Sequence, residues 1–438
     1  MSTLYTISIH FYGLGIRIAA IFNPKAKQWV KGRRGLFRKL EECLKQSGDS
    51  WKGNVWFHCA SLGEFEQGRP VIEGFRELYP EYRIILTFYS PSGYEVRNNY
   101  GGAEGIFYMP LDTPLNAKRW ANLLHPKLIF FIKYEYWFNF LAELNRRNIP
   151  VFIISAIFHQ NQPFFQRYGG WFRRQLKLIS WFFLQSEDDK KLAESLEIKN
   201  FTITGDTRFD RVWSIREQRK QFPLIEQFAG SGRVFLGGST WEPDEALILD
   251  LINHNHPNLK YIIAPHEVHA SRIEKLVTNW QLAVGSWQSS GTDPGSTIVR
   301  YSQLTSETAT SARVIIVDSI GILSHLYQYA SFSMIGGGFG VGIHNILEAA
   351  TFGNPVMFGP NFQKFTEARE LIRLGGAFSV RNATELSGVM KGLLESDDDY
   401  RQASSICYDF VENNRGATRR ILQGIQTLGF IAPSRKNS

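Results

Sequence analysis

Short runs of β-branched and aromatic residues recur along this chain, separated by amphipathic stretches of helical period. Parallel strands need a crossover, usually a helix, so this alternation predicts parallel sheets. In the first half the expected strands are Asn54–Cys59, Arg83–Tyr89, Leu128–Ile132, Val151–Ile154 and Trp181–Leu184, with a short one at Phe201–Thr204. In the second half they are Arg233–Gly237, Lys260–Ala264, Val314–Val317, Phe332–Ile335 and Pro355–Phe358. The charged stretch Val212–Gly232, with a Pro and a Gly-Ser-Gly, reads as helix plus linker and divides the halves. The expected organisation is an apolar and basic N-terminal segment (1–40), a doubly wound domain (41–212), a linker (213–232) and a second doubly wound domain (233–438). Two such domains facing each other would form a cleft at the carboxyl ends of their strands, where ligands bind open α/β sheets.

The 438 residues carry a net charge of +8, which is not evenly spread. Residues 1–50 hold nine basic side chains against three acidic ones, a difference of +6. The basic run follows an apolar stretch, Leu4 to Phe22, interrupted by His10 and Arg17. No basic n-region precedes it and no clean cleavage site follows, so it is not a secretory signal. An interfacial helix among anionic headgroups fits best; if it spans, its basic flank stays cytoplasmic, and the alternative is a helix packed on its own domain with a solvated basic face. Arg167 to Phe183 echoes this basic–aromatic mixture, but no nucleic-acid motif accompanies it, so nucleic acid is not an expected partner. The alternative for that stretch is an amphipathic helix leading into a buried strand. Three scattered cysteines, Cys43, Cys59 and Cys407, argue for a reducing compartment. The tail Pro433–Ser438 is expected to be disordered.

The candidate chemistry lies where strands end. After the first strand comes Ala60-Ser61-Leu62-Gly63-Glu64. Glu64 falls in the first turn of the next helix, where a carboxylate can take a proton from an incoming hydroxyl. The same spacing, Ser61-x-x-Glu64, is also a capping box that needs no active site. Glu66 points elsewhere around the helix. Glu135, after the third expected strand, is a second cleft-side acid or a carboxylate favoured by a helix start. In the second half, residues 336–342 hold five glycines in seven positions, between a strand and an expected apolar helix. Backbone amides can curl around an anion there, and a helix N-terminus would add to the field. The spacing matches neither the dinucleotide fingerprint nor a Walker motif. Asn345-x-x-Glu348 again has cap-like spacing. Ser239 and Thr240 can add donors or simply form a strand-to-helix turn. His266-Glu267-Val268-His269 falls one residue short of a zinc helix, and His254-x-His256 sits beside a Pro, so no metal is expected.

These residues carry a family resemblance along nearly the whole chain. HCASLGE (58–64), TFYSPSGYE (87–95), IKYEYWFN (132–139), GDTRFD (205–210) and GIHNILEAATFGNPVMFGP (342–360) resemble the ordered motifs of the Kdo transferases. These are the 3-deoxy-D-manno-octulosonate transferases of lipid A biosynthesis. The resemblance implies a GT-B fold and an inverting, metal-independent transfer of Kdo from CMP-Kdo to a lipid A precursor of the lipid IVA type. It implies no cofactor beyond the donor substrate, and a place on the cytoplasmic face of a Gram-negative inner membrane. Glu64 would be the general base and Glu135 would support it or the acceptor. Ser61, Gly63, Ser92, Gly93 and Arg208 would line the acceptor side. Ser239, Thr240, His266, Gly338, Gly340, Gly342, Asn345 and Glu348 would line the donor side. The family's Lys appears here as Arg208, its Asn-Ala-Arg as Ser155-Ala156-Ile157, and its Pro-Arg-His as Pro265-His266-Glu267. The alternative is a membrane-associated GT-B enzyme with another nucleotide sugar.

Overall fold

The computed structural model describes residues 2–48, 50–253, 259–288 and 297–431. The expected His254 and His256 turn and the tail 433–438 lie outside them. The chain divides into two compact units, residues 1–211 with 415–438, and residues 212–414.

The first unit holds seven strands: β1 (Gly53–Cys59), β2 (Tyr82–Phe88), β3 (Gly105–Tyr108), β4 (Pro126–Ile132), β5 (Val151–Ala156), β6 (Trp181–Leu184) and β7 (Phe201–Ile203). All pair in parallel, in the order β3-β2-β1-β4-β5-β6-β7. The side-chain period of two splits β1 between the faces. Val55, Phe57 and Cys59 enter one core with Phe65, Ile72 and Phe75, while Trp56 enters the other with Trp120 and Phe131. Winding reverses between β1 and β4, and such a switch point opens a crevice beyond the strand ends.

Four helices frame the entry to this unit: α1 (Ser2–Ala19), α2 (Pro24–Gly32), α3 (Leu36–Gln46) and α4 (Leu62–Leu78). Leu36 and Leu40 of α3 are buried in the core with Trp120 and Phe107, so residues 36–40 are part of the folded unit rather than of a separate segment. Along α1 only Gly13 is buried, close against Leu111. Phe11 and, just past the helix, Phe22 are 68% and 85% exposed. The helix is tethered through Tyr5, which packs edge-on against Phe138 and donates to the buried Asp112 (2.6 Å). Among the described residues, no helix is long and apolar enough to cross a membrane. The second basic–aromatic stretch is a short helix, Gly170–Leu176, leading into β6; its Trp171 lies beside Tyr5.

The second unit holds β8 (Arg233–Thr240), β9 (Leu259–Pro265), β10 (Thr297–Arg300), β11 (Ala312–Ile316), β12 (Phe332–Ile335), β13 (Val356–Phe358) and β14 (Ala377–Ser379). Their order is β10-β11-β9-β8-β12-β13-β14, again all parallel, with the switch between β8 and β12.

One boundary differs from the sequence reading. Residues 415–438 group with the first unit, not the second. Ile421, Leu422 and Ile425 of the helix Ala417–Leu428 are buried in the core that holds Phe65 and Phe75. An apolar stripe reports that a helix is buried, not which core receives it. The stretch between the halves, read from the sequence as helix plus linker, does hold a helix, Pro223–Ala229, which buries Ile225 and Phe228.

Candidate functional site

The turn from β1 into α4 places Glu64 beside the first switch point. Ser61 caps α4 by accepting from the Glu64 amide (3.4 Å), and the Glu64 carboxylate accepts from the Ala60 amide. Ser61 therefore caps the helix, but the reciprocal bond of a capping box is absent: the carboxylate reaches past the Ser61 amide to that of Ala60. Glu64 is only 8% exposed. Burial, and then the charge of Glu135, raise its pKa to about 7; the Ala60 amide, His58 and Lys133 oppose the rise. Glu135 follows β4, on the other side of the same switch point, and burial raises it likewise. Two carboxylates in one dry site do not both ionise freely near neutral pH.

Glu66 behaves differently two residues on. It accepts from Arg97 (2.6 Å) and Arg211 (2.8 Å), which hold its pKa below the usual range despite burial. This contrast within one turn of helix separates a structural carboxylate from a perturbed one.

The other expected acceptor-side residues have local roles. Ser92 packs in the turn after β2, its amide donating to Ser90 Oγ (3.2 Å). That turn lies next to the Glu64 turn, since the Ser90 amide donates to the Ala60 carbonyl (2.7 Å). Gly93 is buried where a Cβ would meet the Phe88 ring at 2.2 Å. Gly63 has open space around it, so packing does not require glycine there. Arg208 donates to Asp206 (2.7 Å), which also accepts from Gln67 of α4 (3.0 Å). This places Arg208 beside α4 although β7 is a sheet edge. Two residues that were not singled out belong to the site. His58 ends the apolar run of β1 with its ring buried, and Lys133 adopts φ 72° immediately after β4. A polar residue in an otherwise apolar strand was the available signal for His58.

A basic cavity of about 740 Å³ lies between α1 and the start of the body, lined by Arg17, Lys27, Lys31, Arg33 and Arg34 together with apolar side chains. Arg33 stacks on Trp29 at 3.7 Å and donates to the carbonyls of Met109 and Tyr89 (both 2.9 Å). Burial pulls its pKa down to about 9.

In the second unit the glycine-rich turn follows β12 and meets the end of β8 at the second switch point. Asp244 joins them by accepting from the amides of Trp241 (2.9 Å) and Gly337 (3.1 Å). Part of the glycine density is packing: a Cβ on Gly338 would sit 2.5 Å from the Gly359 nitrogen. Gly340 has no such constraint, its nearest neighbour being a carbonyl at 3.6 Å. Gly342 lies against Phe365 at φ 145°. The helix expected beyond this turn is a single turn, Leu347–Ala350, so its dipole is not the anion field that the sequence implied. Beyond it the bonds tighten, the Phe352 and Gly353 amides donating to the Ala349 and Ala350 carbonyls (3.1 and 2.9 Å), and Asn354 turns inward to Tyr327 and Ser333. Asn345 donates to Glu348 (3.1 Å) and accepts from the Leu347 amide (3.2 Å). Ser239 adopts φ 53°, and Thr240 donates to Glu245 (3.1 Å), itself paired with Arg272. His266 lies between Trp241 (4.8 Å) and His344 (4.3 Å) in a stack of three rings. Burial and His266 lower His344 to about 4, so it is neutral at pH 7. Among the described residues, no three His, Cys, Asp or Glu side chains gather as a metal site.

Comparison with known proteins falls on the same elements. Residues 28–211 match the family model described as 3-deoxy-D-manno-octulosonic-acid transferase (kdotransferase). The 3-deoxy-D-manno-octulosonic acid transferase of Chlamydophila psittaci is 28% identical over 359 residues, 79% of this chain and 78% of that protein. The protein of the same name from Aquifex aeolicus is 27% identical over 362 residues, 80% of this chain and 88% of that one. That of Haemophilus influenzae is 25% identical over 419 residues, 93% of each. In fold, the chain resembles the UDP-GlcNAc 2-epimerase of Neisseria meningitidis, with a TM-score of 0.60 at 16% identity over 85% of this chain and all of that one. Two parallel-sheet domains of this kind constitute the GT-B class.

Proposed function

We propose that this chain, a relative of the Kdo transferases along most of its length, moves Kdo onto a lipid A precursor in lipopolysaccharide biosynthesis. The donor in this reading is CMP-Kdo, and the transfer is inverting, with no metal or cofactor. One observation carries the mechanism: a buried carboxylate, Glu64, is raised toward neutrality beside a second one at the switch point of the first sheet.

The step follows from that pair. The acceptor hydroxyl gives its proton to Glu64 while its oxygen bonds to the anomeric carbon of Kdo. The bond from that carbon to the phosphate of CMP breaks, and CMP leaves with the electron pair. A base with a pKa near the working pH is ionised often enough to act and basic enough to pull. Attack opposite the leaving group inverts the centre, as for the general base of an inverting glycosidase. Glu135 supports Glu64, and Ser61, Gly63, Ser92, Gly93 and Arg208 shape the acceptor side. On the donor side, the unhindered Gly340 and the amides of its turn face the CMP phosphate. Asn345 and Glu348 meet the nucleoside, and His266 offers its ring face.

The exposed apolar residues of α1 and the cations around the basic cavity suit the surface of an anionic membrane, here the cytoplasmic face of an inner membrane. Nucleic acid is not a partner in this account. A thermal-shift titration tests the donor: CMP should stabilise the protein more than UDP does. Preference for UDP would favour a different nucleotide sugar. Transfer that continues in EDTA supports the metal-free step, and loss of transfer that added metal restores overturns it.

A further inference from the structure

His58 is fully buried, and its two ring nitrogens have different surroundings. Nδ1 lies 2.8 Å from Thr87 Oγ1. Nε2 has no hydrogen-bond partner and faces Glu135 Oε2 at 3.7 Å. The tautomer can be reasoned from Trp56. An indole N–H only donates, and Trp56 Nε1 donates to Thr87 Oγ1 (2.7 Å). Thr87 Oγ1 has two lone pairs, so it can donate to His58 Nδ1 at 2.8 Å, or accept from it there and donate to the Phe57 carbonyl at 3.4 Å. The carboxylate of Glu135 facing Nε2 selects the first arrangement, with Nδ1 the acceptor and the imidazole proton on Nε2. The other tautomer would point a buried lone pair at a carboxylate.

We infer that His58 is a positioning residue: its Nε2–H, fixed by the chain Trp56–Thr87–His58, holds Glu135 as the anion that keeps Glu64 basic. The inference rests on Glu64 being the base. Burial lowers the pKa of His58 to about 3, so the ring acts as a neutral donor rather than as a cation. The charged and titratable groups that bear on the cluster are Glu64 from α4, Glu135 and Lys133 after β4, and Arg33 beyond α2. Tyr134 and Cys59 lie close to both carboxylates and are pushed up by burial and by them. At 3.7 Å the His58–Glu135 contact is open; catalytic contacts of this kind tighten when substrate binds.

Two substitutions separate the functions of the ring. Asn places its polar atoms near Nδ1, keeping the Thr87 side and losing the donor to Glu135. Gln reaches toward Nε2 and keeps that donor. A hydrogen bond to a charged group, once lost, moves a pKa by about one unit or more. His58→Asn should therefore shift the acid limb of kcat/KM downward by up to about one pH unit, the same direction as loss of the Glu135 charge, with a lower plateau above it because Glu64 is then the weaker base. His58→Gln should keep the wild-type limb. An acid limb unchanged in His58→Asn would overturn the inference, as would equal losses in both variants with no shift.

The tautomer is read separately, without substrate, from the ¹⁵N spectrum of histidine-labelled full-length protein. The expected signal is neutral Nε2–H, retained in Thr87→Ser and lost in Thr87→Val. A wild-type Nδ1–H signal removes the inference whatever the enzyme transfers. If the chain transfers no Kdo, the spectrum still decides where the proton lies.

Discussion

Replacing Glu64 by Gln should raise the stability of the protein while abolishing its activity, and the gain should depend on pH. The Glu64 pKa is about 7 in the folded protein against an ordinary 4.5. Below pH 4.5 the side chain is protonated in both the folded and unfolded states, and burial costs nothing extra. Between pH 4.5 and 7 the unfolded chain ionises first, so the folded state is progressively disfavoured; above 7 the penalty is complete. At 1.36 kcal/mol per pKa unit the penalty is at most about 3 kcal/mol. Gln removes it and still accepts from the Ala60 amide, so the cap on α4 survives. For a unit of this size, about 2–4 °C per kcal/mol converts the gain to as much as roughly 10 °C. The assay is a pair of thermal melts at pH 8 and pH 4.5, wild type against Glu64→Gln, with transfer measured in parallel. The expected result is a higher Tm at pH 8 only, and a loss of turnover of about 10²–10⁴-fold. Equal melts at both pH values would show that Glu64 ionises normally and would refute the reasoning.

Other outcomes follow from the same geometry. Glu135→Gln removes the charge that raises Glu64, so the acid limb of kcat/KM should move to lower pH; an unmoved limb would show that the two carboxylates do not interact. Gly338→Ala should destabilise the protein by about 1–3 kcal/mol in denaturant melts, because its Cβ meets the Gly359 backbone. Gly340→Ala has room and should leave stability unchanged while weakening CMP binding by calorimetry. Reversing Lys27, Lys31 and Arg34 to Glu should weaken sedimentation with anionic vesicles by roughly 100-fold or more, with neutral vesicles little affected.

Much of the fold is legible in the chain because its central strands are buried on both faces and read as apolar runs. The missed strands, β3 (GIFY), β10 (TIVR) and β14 (AFS), are short sheet edges, where half the pairing and much of the burial are absent. Periodicity also could not show that the helix Ala417–Leu428 returns to the first unit, since its stripe fits any apolar face. The site was partly legible. Glu64 and Glu135 stand out by following strands, but only topology shows that β1 and β4 are neighbours across a winding reversal. Local spacing misled at the glycine turn, where Gly338 serves backbone packing and the helix after it is one turn long. His58 was visible as a polar residue in an apolar strand, but its meaning depends on Thr87, twenty-nine residues away in sequence and paired with it in the sheet.

The most direct test of the central claim is a mass spectrum of the lipid product. The full-length protein is given CMP-Kdo, generated in the reaction, and a tetraacylated lipid A precursor. The account predicts a lipid heavier by one or more Kdo residues, with CMP released in equal amount, and neither product from Glu64→Gln. An unchanged lipid, or a gain in mass only when a UDP-sugar replaces CMP-Kdo, would contradict it.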